Sequence, residues 1–237
     1  MAAAMEQAQD GARTEKEGQA AEGNLRRVAY EQIIEALMSR RIRPGRLISQ
    51  REIAAETGCS LSSIREALKW LEAESVVRLI PKRGIEFREI TRKEVAESYE
   101  LRSLIELQAL DAFAARATPQ QIDEIRVRTQ ALIDEQRRGA LGPDHTVRRI
   151  ETDHDLHRQI VAALDNDLVA EVHRRNETIM LLARLNLPPS LLESGPALDE
   201  HMAVLDRLAA GDVEGAKRAL AHHLDSARDR SLRALVV

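Results

Sequence analysis

The chain has little cysteine, few aromatics and no long apolar run, and each scarcity excludes something. A single cysteine, Cys59, in 237 residues rules out a disulfide framework within the chain. Aromatic residues make up only 2% while Ala, Leu, Glu and Arg are abundant, a balance that favours helix over sheet. No run of about 18 apolar residues occurs, so no transmembrane helix is expected. The first residues lack a basic stretch followed by an apolar one and do not read as a signal peptide. Together these absences predict a cytoplasmic protein with no membrane partner. What is present suffices for a core: 43% of the residues are hydrophobic, and the length suits two domains.

Charge is unevenly spread. Residues 24–90 carry 13 Lys and Arg against 9 Asp and Glu, a net +4, which leaves −8 for the rest of a chain whose total is −4. A basic segment on an acidic body points to a polyanion partner for one part only. The value is modest, so tight binding calls for two copies, a homodimer. Residues 1–23 are small, polar and acidic, with almost nothing to bury, and are predicted to be a disordered tail.

Within the basic segment, residues 44–84 organise the chain: PGRLISQREIAAETGCSLSSIREALKWLEAESVVRLIPKRG. Ser49 and Glu52 have capping-box spacing, so a helix starts at Gln50. Thr57-Gly58 ends it, since glycine tolerates the left-handed conformation of a sharp turn. A second helix begins near Ser60, with Ile64, Ala67, Leu68 and Leu71 on one face. The opposite face carries Ser62, Ser63, Arg65 and Lys69. An apolar back with small hydroxyl and basic residues in front suits the major groove of double-stranded DNA. Residues 76–80 then read as a strand, 81–84 as a turn and 85–87 as the return strand. That is a winged helix-turn-helix. Upstream, Asn24 can cap a helix with Leu25, Val28, Ala29, Ile33, Ala36 and Leu37 on one face. Four arginines between Arg40 and Arg46 form either a solvated loop or phosphate contacts. Cys59 falls in the turn and reads as a small buried apolar side chain, with redox sensing as the alternative.

The run PGRLISQREIAAETGCSLSSIREALKWLEAE resembles, almost position by position, the DNA-binding domain of the GntR family of bacterial transcription regulators. The resemblance covers roughly residues 24–88. It implies that two copies read a palindromic operator through Arg51, Ser60, Ser62, Ser63, Arg65 and Lys69 and through the wing residues Lys82, Arg83 and Gly84. One position departs from the pattern: Leu61 stands where the family often has a polar or basic residue. It either touches a thymine methyl or packs.

From residue 91 to 237 the pattern is helical throughout. Thr91 and Glu94 form another capping box. Helices are predicted over 92–117, from Thr118-Pro119 to near Gly139, over 144–164, over 167–187, from Pro196 to Gly211, and from Asp212 to about Leu235. Pro188-Pro189 break the chain. Short loops imply a compact antiparallel bundle of six helices. The expected fold class is therefore mainly α, a winged helix-turn-helix over 24–90 followed by the bundle over 91–237. This half resembles the FCD ligand-binding domain of the FadR-type branch, in its shorter, VanR-like version.

One set of polar residues in the second half is unusual. Asp153 and His157 are four apart, hence on one helix face, with Arg149 on the same line. Ile150, Leu156, Ile160 and Val161 flank them, so that face should be buried. His201 and His223 lie 22 residues apart on neighbouring antiparallel helices. Three imidazoles and one carboxylate converging in a core make a divalent-metal site, for zinc, nickel or manganese. By composition alone, each histidine is more often a surface or hydrogen-bonded one, and Asp153 and His157 form a plain i,i+4 pair. The resemblance implies the metal: FCD domains that bind one use an Asp and a His four apart, a His after an acidic residue near a helix start, here Glu200-His201, and a His before Leu, here His223-Leu224. His154 and His222 are the register alternatives to His157 and His223.

In the first bundle helix Val95, Tyr99, Arg102, Glu106, Ala109 and Phe113 form one stripe. Two charges in an apolar stripe need a reason, because burying charge is costly unless it is paired. Either Arg102 and Glu106 form an i,i+4 ion pair, or Arg102 grips a carboxylate ligand bidentately, the role that the FCD resemblance implies. Arg149 and Asn176 are further candidates for that contact. These features add up to a metabolite-responsive regulator, a repressor released by a small organic acid at a zinc site. Two rivals stand beside it: a regulator that senses the metal itself, and a metal-dependent hydrolase fused to a DNA-binding module. No general base beyond the ligands supports the hydrolase.

Overall fold

The computed structural model describes residues 24–39, 41–139, 145–185 and 196–235. The tail expected over 1–23 and the Pro188-Pro189 break lie outside them. The chain divides into two compact units between Arg88 and Glu89. Nine helices and three short strands occur among the described residues, so the architecture is mainly α. No helix among them is long and apolar enough to cross a membrane.

The first unit comprises α1 (residues 24–38), β1 (Leu47–Ile48), α2 (Gln50–Thr57), α3 (Leu61–Ala73), β2 (Val77–Ile80) and β3 (Gly84–Phe87). Ser49 and Glu52 cap α2 reciprocally, and Gly58 closes it at φ 69°. The Ser60 hydroxyl accepts the Ser63 amide to start α3. This helix buries Ile64, Ala67, Leu68 and Leu71, the face its spacing predicts. The wing has a strand the pattern did not reveal. β1 pairs antiparallel with β3, giving the order β1-β3-β2. Two residues are too few to show an alternation. Gly84 makes this third strand possible: its φ is +127°, and a Cβ there would lie 2.8 Å from the Ile48 carbonyl oxygen.

Two expectations in this unit are corrected. Ala29, Ile33, Ala36 and Leu37 of α1 are buried, but Leu25 and Val28 are exposed. Val28 is rotated about 100° from Ala29 around the helix, and Leu25 lies a turn before Ala29, the first buried position. Cys59 is half-buried rather than buried, with its Sγ 3.7 Å from the Thr57 carbonyl oxygen.

The second unit holds six helices among the described residues: α4 (Arg92–Arg116), α5 (Pro119–Arg137), α6 (His145–Ala162), α7 (Asp167–Leu185), α8 (Ala197–Ala209) and α9 (Val213–Ala234). Thr91, Thr118 and Asp212 cap α4, α5 and α9 through their side chains. α4 packs on α6, α7 and α9, while α8 packs on α5, α6 and α9. Leu110, Phe113, Ile125, Leu156, Ile160, Val204, Leu205, Leu220 and Leu224 form the shared core. Each fully buried Leu, Ile or Phe contributes about 1.5–3 kcal/mol. The α8–α9 hairpin turns through Gly211 at φ 73°, and Asp212 accepts the Gly215 amide at 2.8 Å.

Candidate functional site

Five of the nine candidate residues in the first unit meet at one concavity. Arg51, Arg65, Lys82, Arg83 and Gly84 line a hollow of about 580 Å³ between the start of α3 and the wing, together with Ser49, Gln50 and Leu61. Leu61 is exposed there. Arg65 Nε donates to Gln50 Oε1 at 3.1 Å, which braces the guanidinium across the α2–α3 turn. Ser60, Ser62, Ser63 and Lys69 do not line the hollow. The Ser60 and Ser63 hydroxyls are 2.5 Å apart, so both serve the helix start, and Lys69 pairs with Glu66 at 2.7 Å. In the arginine-rich loop, Arg41 donates to the Glu56 carbonyl oxygen. An open hollow rimmed by cations can take phosphates and base edges.

The second unit gathers four ligand-type residues in its core. Asp153, His157, His201 and His223 are all buried, and one ligand atom of each lies within 4.8 Å of the others. Asp153 and His157 stand on one face of α6. His201 on α8 and His223 on α9 each lie 11 residues from Asp212, so the hairpin brings them level. His201 Nε2 is 3.1 Å from His223 Nε2 and 3.5 Å from Asp153 Oδ1. Neither His154 nor His222 belongs to the group.

Charged side chains surround the cluster. Arg184 of α7 binds Asp153 Oδ2. Glu106 of α4 is fully buried; it accepts from Arg102 Nε at 2.7 Å and lies 2.6 Å from His157 Nδ1 and 2.9 Å from His173 Nε2. Glu200 of α8 lies 2.8 Å from His223 Nδ1 and accepts two bonds from Arg230, at 2.7 and 2.8 Å. Burial, then Arg102, lowers His157 to about 4. Burial, then His223, lowers His201 to about 3. Burial also holds His223 at about 4, against the pull of Glu200. All three rings are therefore neutral near pH 7, the form that binds a metal. Burial would raise Asp153 and Glu106, but Arg184 and His201 for the first, and Arg102 and His157 for the second, hold both well below the usual carboxylate range.

The residues fit a divalent cation. His157 Nε2 is buried with no hydrogen-bond partner among the described residues, an expense that an ion at the cluster removes. The 3.1 and 3.5 Å spacings are close to the roughly 3.3 Å between donors placed tetrahedrally around zinc at about 2.0 Å. Three neutral imidazoles and a carboxylate suit zinc, nickel or manganese.

The three effector candidates fare differently. Arg102 is buried and bound to Glu106, the i,i+4 pair weighed from the sequence. Arg149 is half-buried on α6, one turn before Asp153. Asn176 is tied to Ser98: its amide donates to the Ser98 carbonyl at 2.9 Å and its Oδ1 accepts the Ser98 hydroxyl. Sequence reasoning did not assign a role at the site to Glu200, Arg184, Arg230 or His173, and it read Glu106 only as a partner for Arg102. An acid in an apolar stripe was a usable sign for Glu106, and the i,i+4 spacing of His173 and Glu177 was one for His173. Arg184 and Arg230 gave none, because they pair across helices.

Comparison with known proteins bears on both units. Residues 25–87 match the family of bacterial regulatory proteins called the gntR family, and residues 97–226 match the FCD domain. An HTH-type transcriptional regulator in an unstable DNA locus of Streptomyces ambofaciens is 33% identical over 101 residues, 43% of each chain, so less than half of that relative is spanned. The gluconate operon transcriptional repressor of Bacillus subtilis is 26% identical over 210 residues, covering 86% of this chain and 83% of that protein. Among solved structures, E. coli McbR/YncC has a similar fold, with a TM-score of 0.61 at 19% identity, covering 85% of this chain and 94% of that one.

Proposed function

Because the chain belongs to the GntR family of bacterial regulators and carries an FCD domain, we propose that it is a dimeric repressor released from a palindromic operator by a small organic acid. It is a transcription regulator and not an enzyme, as its families and relatives are, so the hydrolase reading is set aside. On this reading Arg51 and Arg65 face the operator from the helices, and Lys82 and Arg83 from the wing. Ser62 contacts its backbone from the first turn of α3 and Lys69 from further along the same helix. Ser60 and Ser63 act by holding the first turn of α3, and Gly84 by holding the wing.

Asp153, His157, His201 and His223 would hold a divalent ion, zinc first, with nickel or manganese as alternatives. The observation that carries this is the convergence of three neutral imidazoles and an ionised carboxylate in a buried cluster, with His157 Nε2 unpartnered among the described residues. A bound ion supplies a Lewis-acidic anchor for a carboxylate. The charges around the cluster, buried or half-buried, cancel in pairs: Arg102 with Glu106, Arg184 with Asp153, Arg230 with Glu200. A divalent ion adds two positive charges to that balance, and an organic acid offsets them. A guanidinium has five N–H donors, so the Nε bond to Glu106 leaves Arg102 able to receive the acid, with Arg149 and Asn176 in support. Release further requires that the acid bind the two DNA-binding geometries with different affinity.

One observation favours a second reading, in which the metal is the signal. Asp153 on α6 is bound to Arg184 on α7, so a cation competing for that carboxylate loosens the link between the helices with no organic ligand present. Native mass spectrometry followed by DNA-release titrations separates the two. The repressor reading expects a dimer with about one ion per chain, released from DNA by members of a panel of organic acids at fixed metal. Release that follows metal concentration alone makes the protein a metal sensor. A monomer that takes up no ion overturns both.

A further inference from the structure

The cluster's four residues are not held alike. His157 and His223 each turn Nδ1 to a buried or half-buried carboxylate, Glu106 Oε2 at 2.6 Å and Glu200 Oε2 at 2.8 Å. Each carboxylate is also paired with an arginine, Glu106 accepting from Arg102 Nε at 2.7 Å and Glu200 from Arg230 at 2.7 and 2.8 Å, and a carboxylate so paired stands as the anion. An ionised carboxylate only accepts, so each neighbouring Nδ1 must carry the proton. The lone pair of each neutral ring then sits on Nε2. Those are the atoms turned to the cluster: His157 Nε2 has no partner among the described residues, and His223 Nε2 is 3.1 Å from His201 Nε2. His201 is the exception. Its Nδ1 has no partner among the described residues. Its Nε2 faces two acceptors, the His223 lone pair at 3.1 Å and Asp153 Oδ1 at 3.5 Å.

We propose that Glu106 and Glu200 are positioning residues that lock His157 and His223 in the Nδ1–H form and aim their Nε2 lone pairs at the metal, while His201 carries its proton on Nε2 until the ion arrives. The proposal rests on the metal reading above. To hold an ion through Nε2, His201 would have to carry its one proton on Nδ1, where no partner among the described residues opposes it, and the ring's charge would be unchanged. Two ligands are thus preset and one must rearrange. The carboxylates reach the cluster from α4 and α8, and Arg230 fixes Glu200 in turn from α9. Partners of this kind typically change metal affinity 10–100-fold.

Two measurements on the full-length protein test this. Long-range ¹⁵N–¹H NMR of the chelator-treated protein reads the tautomer of each ring. The expected result is Nδ1–H for His157 and His223 and Nε2–H for His201, with all three Nδ1–H after one equivalent of zinc. Zinc titrations against a competing chelator then compare wild type with Glu200→Ala, Glu200→Gln and Glu106→Gln. Glu200→Ala is expected to free the His223 tautomer and to raise the zinc Kd 10–100-fold. Glu200→Gln keeps an acceptor for Nδ1–H and is expected to keep the tautomer with a smaller loss. Glu106→Gln leaves Arg102 less well paired in the core, so its melting curve is recorded alongside; Glu200, at the rim, carries the test if Glu106→Gln does not fold. Nε2–H at His157 or His223 in the wild type, or an unchanged tautomer and Kd in Glu200→Ala, overturns the proposal. Wild-type protein with the expected tautomers that takes up neither zinc, nickel nor manganese overturns the metal reading instead.

Discussion

Asp153 and the three histidines set the chemistry at the scale of single residues. Their burial has a consequence for pH. The folded rings titrate at about 4, 3 and 4, below the ordinary 6.5. As pH falls through 6.5 the unfolded chain takes up protons on these rings and the folded chain does not, so stability falls with pH down to about 4. Metal-stripped protein is expected to melt at a constant temperature well above pH 7 and progressively lower from about pH 6.5 to 5.5, before ordinary carboxylates begin to titrate. A flat melting temperature over that window would show that the rings are not held neutral. His157→Ala, His201→Ala and His223→Ala are each expected to lose most bound metal, and Asp153→Ala to lose less, because a carboxylate is the weaker ligand for a borderline ion. Full metal content in His201→Ala and His223→Ala, by elemental analysis, ends the proposed site. In the other unit, Arg65→Ala is expected to cost about 1–3 kcal/mol of operator binding and to relax preference at one base pair; a selected operator bound as tightly as by wild type removes Arg65 from base reading. The sequence made Asp153 and His157 legible because four residues return to one helix face. It made His201 and His223 legible through a hairpin centred between them. Arg184 and Glu200 stayed hidden as partners, since their pairing depends on how whole helices pack.

Elements differ in how openly the sequence declares them. α2, α3, α4, α5 and α9 begin with a side chain that satisfies an orphan amide, and such caps are local and readable. Their boundaries accordingly lie within about two residues of where the pattern puts them. β1 is the opposite case, two residues whose strand character exists only because β3 lies beside them. Gly84 is where that hidden contact becomes testable. Its φ of +127° disfavours any side chain, and the atom a Cβ would meet is backbone, the Ile48 carbonyl oxygen at 2.8 Å, which cannot rotate away. Gly84→Ala is expected to destabilise the winged unit by about 1–3 kcal/mol and to weaken operator binding by displacing Lys82 and Arg83. Chemical denaturation and a mobility-shift titration measure the two effects. A variant with unchanged stability and unchanged DNA affinity would mean that β1 does not need to approach β3.

At the scale of the whole molecule, assembly is the open step between a modestly basic domain and a tight complex. A net +4 over residues 24–90 offers few phosphate contacts, and affinity grows with the number of counterions released, which is why the proposed function takes two copies on one operator. The second unit carries apolar surface suited to such pairing. Leu168 is 80% exposed, Leu104 67% and Val172 45%, on α4 and α7, two helices that pack on each other. Leu168 and Leu104 are exposed side chains outside the buried core, so a change there is expected to leave the bundle folded. Leu168→Lys combined with Leu104→Lys is expected to give a monomer by sedimentation with an unchanged circular dichroism spectrum. That monomer is expected to bind a single half-site as wild type does but to lose at least tenfold in affinity for the full palindrome, because the second domain no longer arrives tethered to the first. It is also expected to keep its metal, since Asp153, His157, His201 and His223 all lie within one bundle. A double variant that remains dimeric places the contact elsewhere on the molecule. A monomer with undiminished affinity for the palindrome means instead that the operator pairs the two copies by itself.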